Sequence, residues 1–461
     1  MTSINPCNVS EVVMENNASI TIKNFKSYKD ATLPLSPLTL LIGANASGKS
    51  NAIEAFRFLS WVAGGERLST LKNRVNDSDK VVRGSTRDLA FNDTDVFSLV
   101  FQIEDGVEYE GVFSVGSSSI ELNSEIVSSH SNKIIIPKVS EDFRIPEISK
   151  FHDIKVSDKI KDAFKSLENA LMRSSFDEEI TVWRNSNKDS SEFMMVDKHI
   201  EIIDRFKAPK NAAWTDFIII REFLTQSYFY DLIPSSMRNS SVSDDSLRLD
   251  GSNLAGVLYH ICKEQNKKSQ LLDIIKSLPE QDITDINLYE DHRGRIEFAL
   301  VESFGCVPNE CTMDLLSDGT LKVLGVAAAL LAVPEGSTVV IEEIDNSIHP
   351  TRAHEILSSM RQYAEERNLN LLLSTHNPAL MDALPDEALA DVVFCYRDPK
   401  EGDSKLVRLG DLDDYLGLVA QGTLGDLVTQ GIVERFIKHP TTSEQRKQQA
   451  LSWLNQLQGA D

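Results

Sequence analysis

Residues 43–50, Gly-Ala-Asn-Ala-Ser-Gly-Lys-Ser, have the types and spacing of a loop that holds phosphate groups. Its glycines let backbone N–H groups close around a phosphate, and a helix that begins there adds partial positive charge. We expect Lys49 to contact the β- and γ-phosphate oxygens and Ser50 to bind Mg²⁺. The pattern predicts a nucleotide site formed by these residues: Gly43, Asn45, Ser47, Gly48, Lys49 and Ser50.

Two adjacent carboxylates follow an apolar run, residues 337–341, as at the end of a Walker B strand. Phosphoryl transfer mainly needs positioning and charge neutralisation, so the two carboxylates should have different roles. We expect Glu342 to hold Mg²⁺ through its water shell and Glu343 to orient or deprotonate the attacking water. Glu342 stands where an aspartate is usual. An ordinary acidic strand end is the alternative interpretation.

A histidine follows the next strongly apolar run, residues 371–375. Ligands of open α/β sheets bind at the carboxyl ends of the strands, which is where this run would deliver His376. There an imidazole can sense the γ-phosphate and act in catalysis. A structural loop histidine is the alternative.

A short polar turn, Leu316-Ser-Asp-Gly-Thr-Leu321, opens a helix-forming run about 25 residues before the carboxylates. Small polar residues at a helix N-terminus make a second anion site, so we expect Ser317, Gly319 and Thr320 to contact nucleotide. Taken alone, the turn is an ordinary helix N-cap.

The elements that must position these motifs are visible in the apolar pattern. Strand-like runs lie within residues 20–42 and helical spacing within 51–63, which predicts a strand, a glycine loop and a helix. Short β-rich runs at about 80–140 indicate an antiparallel sheet. The charged, helical stretch at about 145–225 has no sustained heptads, so a long coiled coil is excluded.

Farther along, the polar segment 235–253 predicts a flexible loop, 254–275 is helical, and 286–301 predicts a strand pair. We therefore expect four parts: residues 1–144 with the glycine loop and the antiparallel sheet, a mainly helical insertion over 145–285, residues 286–410 with the polar turn, the carboxylates and His376, and a helical tail over 411–461.

Composition and charge limit the classes of function. The net charge of −23 disfavours indiscriminate binding to nucleic acid. No apolar run approaches the roughly 20 residues that span a bilayer, and no signal peptide is evident, so we expect a cytoplasmic location. DNA contact would need a local basic patch, although a solvated face is the commoner arrangement. The candidates are Lys207, Lys210, Arg221 and Arg238, or Arg352, Arg361 and Arg367.

The four motifs resemble, in order and spacing, the ABC-type ATPase heads of the SMC, RecF and OLD group, over about residues 18–65 and 312–400. LSDGT looks like the signature, EEIDNSIHP like the Walker B and D-loop segment, and STHNP like the switch histidine. The resemblance implies an α/β P-loop NTPase head, with a mixed sheet flanked by helices, an antiparallel β subdomain and a helical insertion. It also implies ATP and Mg²⁺.

In that group two heads pair face to face, and the signature of one caps the γ-phosphate bound by the other. The resemblance implies a head-to-head dimer or higher oligomer in which Ser317, Gly319 and Thr320 act in trans. Asp345 and His349 would lie near the dimer seam. Gln102 is the candidate for the Q-loop residue, although its surroundings are not typical of one.

OLD nucleases carry a TOPRIM domain after the ATPase, and the residues beyond 400 are too few for one. The chain looks like stand-alone ATPase subunits of anti-phage systems such as Septu and PARIS, which implies a sensor or regulator working with a separate effector nuclease. A RecF-like repair ATPase that clamps duplex DNA is the alternative. A transporter ATPase is disfavoured because LSDGT replaces the LSGGQ form.

Overall fold

The computed structural model describes most of the chain between Ala18 and Lys438. Sixteen strands, eleven α-helices and a π-helical turn (His260–Glu264) fall within the described residues. Those residues are 18–66, 68–73, 81–92, 94–103, 106–116, 119–129, 132–137, 184–185, 212–275, 283–304, 307–344 and 350–438.

Six strands form the central sheet in the order β16-β15-β3-β14-β13-β9. All neighbours are parallel except the antiparallel edge pair β15 and β16. The strand that precedes the glycine loop, β3, is therefore central, and the strands that precede His376 and Glu342 follow it on one side. The strands are β3 (Leu38–Ile42), β9 (Ser227–Tyr230), β13 (Thr338–Ile341), β14 (Asn370–Thr375), β15 (Val393–Arg397) and β16 (Ser404–Arg408).

Both faces of this sheet are buried, as is usual for parallel strands covered by helices. In β14, Leu371 and Leu373 belong to one apolar cluster and Leu372 to the other. Helix α1 (Lys49–Ala63) packs in the second cluster, whereas α6 (Asp318–Ala332) packs in the first. These two helices therefore lie on opposite faces of the central sheet.

A seven-stranded sheet, in the order β2-β1-β4-β5-β6-β7-β8, packs over the α1 side of the molecule. Side chains alternate between the two faces of each strand, and Phe97, Phe101 and Phe113 face α1. There they contact Phe56 and Phe58. The strands are β1 (Ala18–Phe25), β2 (Tyr28–Leu35), β4 (Val96–Ile103), β5 (Val107–Val115), β6 (Ile120–Ser129), β7 (Asn132–Pro137) and β8 (Arg184–Asn185), all antiparallel.

A third sheet has three antiparallel strands, β10 (Ile283–Glu290), β11 (Ile296–Phe304) and β12 (Val307–Thr312), and it leads into α6. The strand pair that the sequence predicts around residues 291–295 is present. With the mixed central sheet, the flanking helices and the antiparallel sheet beside it, the expected α/β architecture of an ABC-type P-loop NTPase is confirmed.

The remaining helices fill the outer layers. No helix among the described residues is both long and apolar enough to cross a membrane. The helices are α2 (Ala212–Thr225), α3 (Pro234–Met237), α4 (Leu254–Tyr259), α5 (Lys268–Ile275), α7 (Pro350–Glu366), α8 (Pro378–Asp382), α9 (Tyr415–Val419), α10 (Leu424–Thr429) and α11 (Ile432–Lys438).

The polar segment 235–253, which the sequence predicts as a flexible loop, is instead held by specific hydrogen bonds. The buried Asn253 side chain bonds Asp244 and the backbone of Ser246 and Arg248, at 2.8 to 2.9 Å. Ser241 forms a β-bridge with Ile296. Asp244 and Asp250 also accept from the N–H groups of Ser246 and Ser252, at 3.4 and 2.9 Å, so bonds within the segment give it a defined path.

Candidate functional site

The glycine loop lies between the end of β3 and the start of α1, and its backbone geometry requires glycine. Gly43 has φ 146° and Gly48 has φ 122°, values that residues other than glycine rarely adopt. A Cβ atom at Gly43 would lie 2.1 Å from the carbonyl oxygen of Cys395, and one at Gly48 would lie 2.5 Å from Ser404 Oγ. The loop therefore follows a path that only these glycines permit.

Polar groups of the loop converge where phosphates would sit. The Lys49 ammonium lies across the loop and donates to the carbonyl oxygens of Gly43 at 2.6 Å and Ala44 at 3.1 Å. Ser47 Oγ is buried with no hydrogen-bond partner, and Ser50 lies in the first turn of α1. A phosphate oxygen would satisfy Ser47 Oγ, so these residues fit a bound nucleotide. Asn45 is exposed at the tip of the loop.

Three side chains behind the loop fix its carbonyl groups. Tyr28 donates its hydroxyl to Gly48 O at 3.0 Å, and Ser404 and Cys395 donate to Ser47 O at 2.6 and 3.4 Å. Burial raises the pKa of the Tyr28 phenol and of the Cys395 thiol, so both groups keep the protons that they donate. The sequence gives no local signal for these residues, because they lie outside the loop motif.

Glu342 lies directly after β13 and forms an ion pair with Arg57 of α1, with 2.8 Å between Oε1 and the guanidinium nitrogen. The two side chains are only 14% and 10% exposed. Burial raises the pKa of Glu342, the attraction of Arg57 lowers it, and the negative charge of Asp231 raises it again. A buried carboxylate needs a nearby cation to stabilise its charged form, and Arg57 is that cation.

Glu343 has a backbone conformation that few residues other than glycine adopt, with φ 47°. Its N–H donates to Ser374 Oγ at 3.0 Å, and its carbonyl oxygen accepts from the Lys322 ammonium at 3.1 Å. The side chain is exposed at the edge of the sheet. A conformation that costs about 1–3 kcal/mol and is held from both sides is typical of functional positions.

Strand register brings His376 to the same edge. Thr375 pairs with Ile42, so His376 and the glycine loop begin at the same level of the sheet. Leu373 pairs with Ile341, which places the carboxylates beside them. His376 is exposed there, while Asn377 caps the next helix through Ala379 N–H at 3.0 Å.

The signature turn begins α6. Ser317 is the N-cap, and its hydroxyl accepts from Thr320 N–H at 3.1 Å. Arg238 donates to Leu316 O at 2.8 Å and to the Asp318 carboxylate at 2.7 Å. Gly319 follows in the first turn, so the turn is a structural cap that also presents helix N–H groups.

Several predicted residues lie elsewhere. Gln102 is exposed within β4, opposite Ser19 of β1, and so belongs to a strand of the seven-stranded sheet. Asp345 and His349 lie outside the described residues. Among the described residues, no three His, Cys, Asp or Glu side chains form a metal cluster. A Mg²⁺ ion bound chiefly by phosphates and water, with Ser50 and Glu342 as the expected protein ligands, would need no such cluster.

The arginines considered for a basic patch are used within the fold. Arg221 donates to Ala63 O at 2.8 Å, and Arg367 donates to Val333 O at 2.7 Å. Arg361 pairs with Glu365 at 2.8 Å, and Arg238 holds the signature turn. Lys207 and Lys210 are outside the described residues, as is the side chain of Arg352.

Comparison with solved structures gives SMC heads at low similarity. An SMC head bound to the C-terminal winged-helix domain of ScpA is 14% identical, covers 85% of this chain and 97% of that chain, and has a TM-score of 0.42. The SMC head of Thermotoga maritima is 14% identical, with coverages of 85% and 98% and a TM-score of 0.35. A Pyrococcus furiosus SMC head bound to ScpA is 16% identical, with coverages of 85% and 95% and a TM-score of 0.40.

Sequence comparison is more specific. Structural maintenance of chromosomes protein 1 of Arabidopsis thaliana is 36% identical over 118 residues, which are 24% of this chain. The chain spans only 9% of that relative's length. A family described as "AAA domain, putative AbiEii toxin, Type IV TA system" matches residues 38–382, from the strand before the glycine loop to the helix after His376. Since that match covers well over half of the chain, the protein belongs to this AAA-domain family.

Proposed function

We propose that this protein binds ATP with Mg²⁺ at residues 43–50 and hydrolyses it between two paired copies of the chain. The observation that carries the proposal is the meeting of three segments at one edge of the central sheet. The parallel registers of β3, β13 and β14 bring the glycine loop, Glu343 and His376 to that edge.

The chemistry assigns a separate task to each residue. Lys49 and the N–H groups of the loop bind the β- and γ-phosphates. Ser50 and Glu342 would hold Mg²⁺, which would supply neutralisation of the phosphate charge. Glu343 accepts a proton from water as the water oxygen attacks the γ-phosphorus. The bond from that phosphorus to the bridging oxygen breaks, giving ADP and phosphate. His376 donates a hydrogen bond to the γ-phosphate oxygens.

The position of the second anion site supports the proposal of pairing. Helices α1 and α6 lie on opposite faces of the sheet, so the signature turn does not share a face with α1, which follows the loop of the same copy. Ser317, Gly319 and Thr320 of one copy would complete the site of the other. Leu315, beside the turn and 75% exposed, would be covered in that pair.

Kinetics of the purified protein test the enzymatic proposal. We expect phosphate release that requires Mg²⁺, is second order in protein at low concentration, and is lost in Glu343→Gln. Glu342→Gln should weaken the dependence on Mg²⁺. Hydrolysis that is unaffected by Glu343→Gln would refute the assignment of the base.

We propose further that the ATPase is the sensor or regulatory subunit of an anti-phage complex and restrains or releases a separate effector such as a nuclease. The net charge of −23 favours a protein partner over the DNA backbone. The internal bonds of Arg221, Arg361 and Arg367 support the same preference. The family description, which names a toxin–antitoxin system, is in line with a paired effector.

Mass spectrometry of what co-purifies with tagged Glu343→Gln from its native host tests this role, since stalled hydrolysis should hold the complex together. We expect a stoichiometric effector protein. The RecF-like alternative, a clamp on duplex DNA, predicts instead nuclease-sensitive DNA and no protein partner. Lys49→Ala is the matched control, because it should retain neither.

A further inference from the structure

The residues that follow β9 connect the end of β13, the Walker B strand, to the signature turn. Strand β9 lies beside β13, and Glu342 N–H donates to Tyr230 O at 2.9 Å. Directly after β9, Asp231 N–H donates to Leu249 O at 2.8 Å, which closes residues 231–253 into a bonded segment. We call these residues the 231–253 segment.

The 231–253 segment packs directly on α6. Met237 is fully buried, and a Cβ atom at Gly325 of α6 would lie 2.6 Å from Met237 Cε. Close packing therefore fixes the position of Met237 relative to α6, and with it the position of the next residue, Arg238.

Arg238 makes two bonds to the signature turn, to Leu316 O at 2.8 Å and to the Asp318 carboxylate at 2.7 Å. The two acceptors flank Ser317, so the contact sets the direction in which the hydroxyl and the first N–H groups of α6 point. The Arg238 side chain is 26% exposed and that of Asp318 is 62% exposed, so the ion pair lies at the surface, and the bond to the Leu316 carbonyl adds a second fixed acceptor.

A second contact involves Lys322, which lies about one turn after Asp318 in α6. Lys322 lies among mostly apolar residues of this helix, is 7% exposed, and donates to Glu343 O at 3.1 Å. It thus connects the helix that carries the signature to the left-handed backbone of the proposed base in the same copy.

We infer that Arg238 and Lys322 are positioning residues that act on different sites of the paired enzyme. This inference rests on the proposed pairing. Arg238 orients the signature turn and so serves only the nucleotide of the partner copy. Lys322 lies on that helix and also holds the Glu343 backbone, so it serves the nucleotide of its own copy as well.

Mixing of impaired variants separates a role at the partner's site from a role at the site of the same copy. Arg238→Ala should lower the turnover number about tenfold or more, as for loss of an anion-site donor, with ATP affinity at its own loop changed less than about twofold. A 1:1 mixture of Arg238→Ala with Lys49→Ala should regain about a quarter of wild-type turnover, because half the dimers are mixed and each has one intact site. Lys322→Met should also be impaired, but mixing with Lys49→Ala should not restore it.

Controls keep the result interpretable. Ser317→Arg mixed with Lys49→Ala must recover turnover; if it does not, pairing itself, and the proposed function with it, is refuted. Arg293→Ala removes an exposed arginine elsewhere and should retain normal turnover. Arg238→Lys, which preserves one donor, should be less impaired than Arg238→Ala and should show the same rescue.

If the Ser317 mixture recovers and both Arg238 mixtures do not, the assignment of Arg238 to the partner's site is wrong. Recovery in the Lys322→Met mixture would overturn its role at Glu343. If Arg238→Ala fails to fold, as judged by circular dichroism, Arg238→Lys alone decides the question by the same mixing test.

Discussion

Replacement of Arg57 by methionine removes the cation beside Glu342 while retaining an apolar side chain of similar length. The pair is short, at 2.8 Å, and both side chains are largely buried. Breaking a buried ion pair by removing one partner typically costs about 3–5 kcal/mol. We expect Arg57→Met to lose about 3 kcal/mol near neutral pH, the low end of that range, because Glu342 can take up a proton.

The loss should depend on pH in a defined direction. Burial already raises the pKa of Glu342 and the attraction of Arg57 opposes that rise, so removal of Arg57 raises the pKa further. A carboxyl whose pKa is higher in the folded state makes stability fall as pH rises from the unfolded pKa to the folded pKa. The deficit of Arg57→Met should therefore be smallest at acidic pH and complete above the folded pKa of Glu342.

Urea unfolding, followed by circular dichroism, measures this effect at a site where Arg57 and Trp61 line a 290 Å³ cavity. The comparison is between about pH 5 and about pH 8. Arg57→Met combined with Glu342→Gln is the control, and it should recover at least about half of the loss because no buried charge is left unpaired. An unfolding midpoint equal to wild type at pH 8, or no recovery in the double variant, would refute the reasoning.

Three further substitutions test the loop and the base. Lys49→Ala should abolish ATP binding in calorimetry without altering the circular dichroism spectrum, and retained binding would contradict its role. Gly48→Ala should cost about 1–3 kcal/mol in thermal unfolding and weaken ATP binding, because φ is 122° and Ser404 Oγ is in the way. Ser374→Ala should slow turnover about tenfold with ATP affinity intact, since one hydrogen bond to the Glu343 backbone is lost. Equal effects on affinity and turnover would indicate general disruption of the site.

The sequence predicts the parts of the site that are contiguous in the chain. An apolar run followed by residues 43–50 defines a strand, a loop and the start of a helix, and similar runs before Glu342 and His376 define two more strands. Because the carboxyl ends of parallel strands meet at one edge, convergence of these residues follows from the pattern.

Contacts between distant segments could not be predicted. Arg57 and Glu342 are 285 residues apart, and Cys395 is 348 residues from Ser47. Their pairing depends on how strands and helices are ordered in space, which periodicity does not encode. In the single sequence, Arg57 has the appearance of a charged residue in an amphipathic helix.

In the 231–253 segment, the local sequence does not determine the structure. Its serine, asparagine and aspartate residues are typical of both loose loops and bonded turns, and only the three-dimensional partners distinguish them. Asn253 is buried, and Gly256 N–H donates a hydrogen bond to Ser241 Oγ at 2.8 Å, so these residues tie the segment to α4. The lysine within the apolar helix Asp318–Ala332 was a visible signal, because buried lysines need partners.

The measurement that most directly tests the account is the mass of Glu343→Gln in solution, by size-exclusion chromatography with light scattering, with and without ATP and Mg²⁺. We predict a shift from monomer to dimer or higher oligomer that requires ATP, is absent with ADP, and is absent in the double variant with Ser317→Arg. Glu343→Gln that stays monomeric while saturated with ATP would contradict the proposal that two copies form the catalytic sites together.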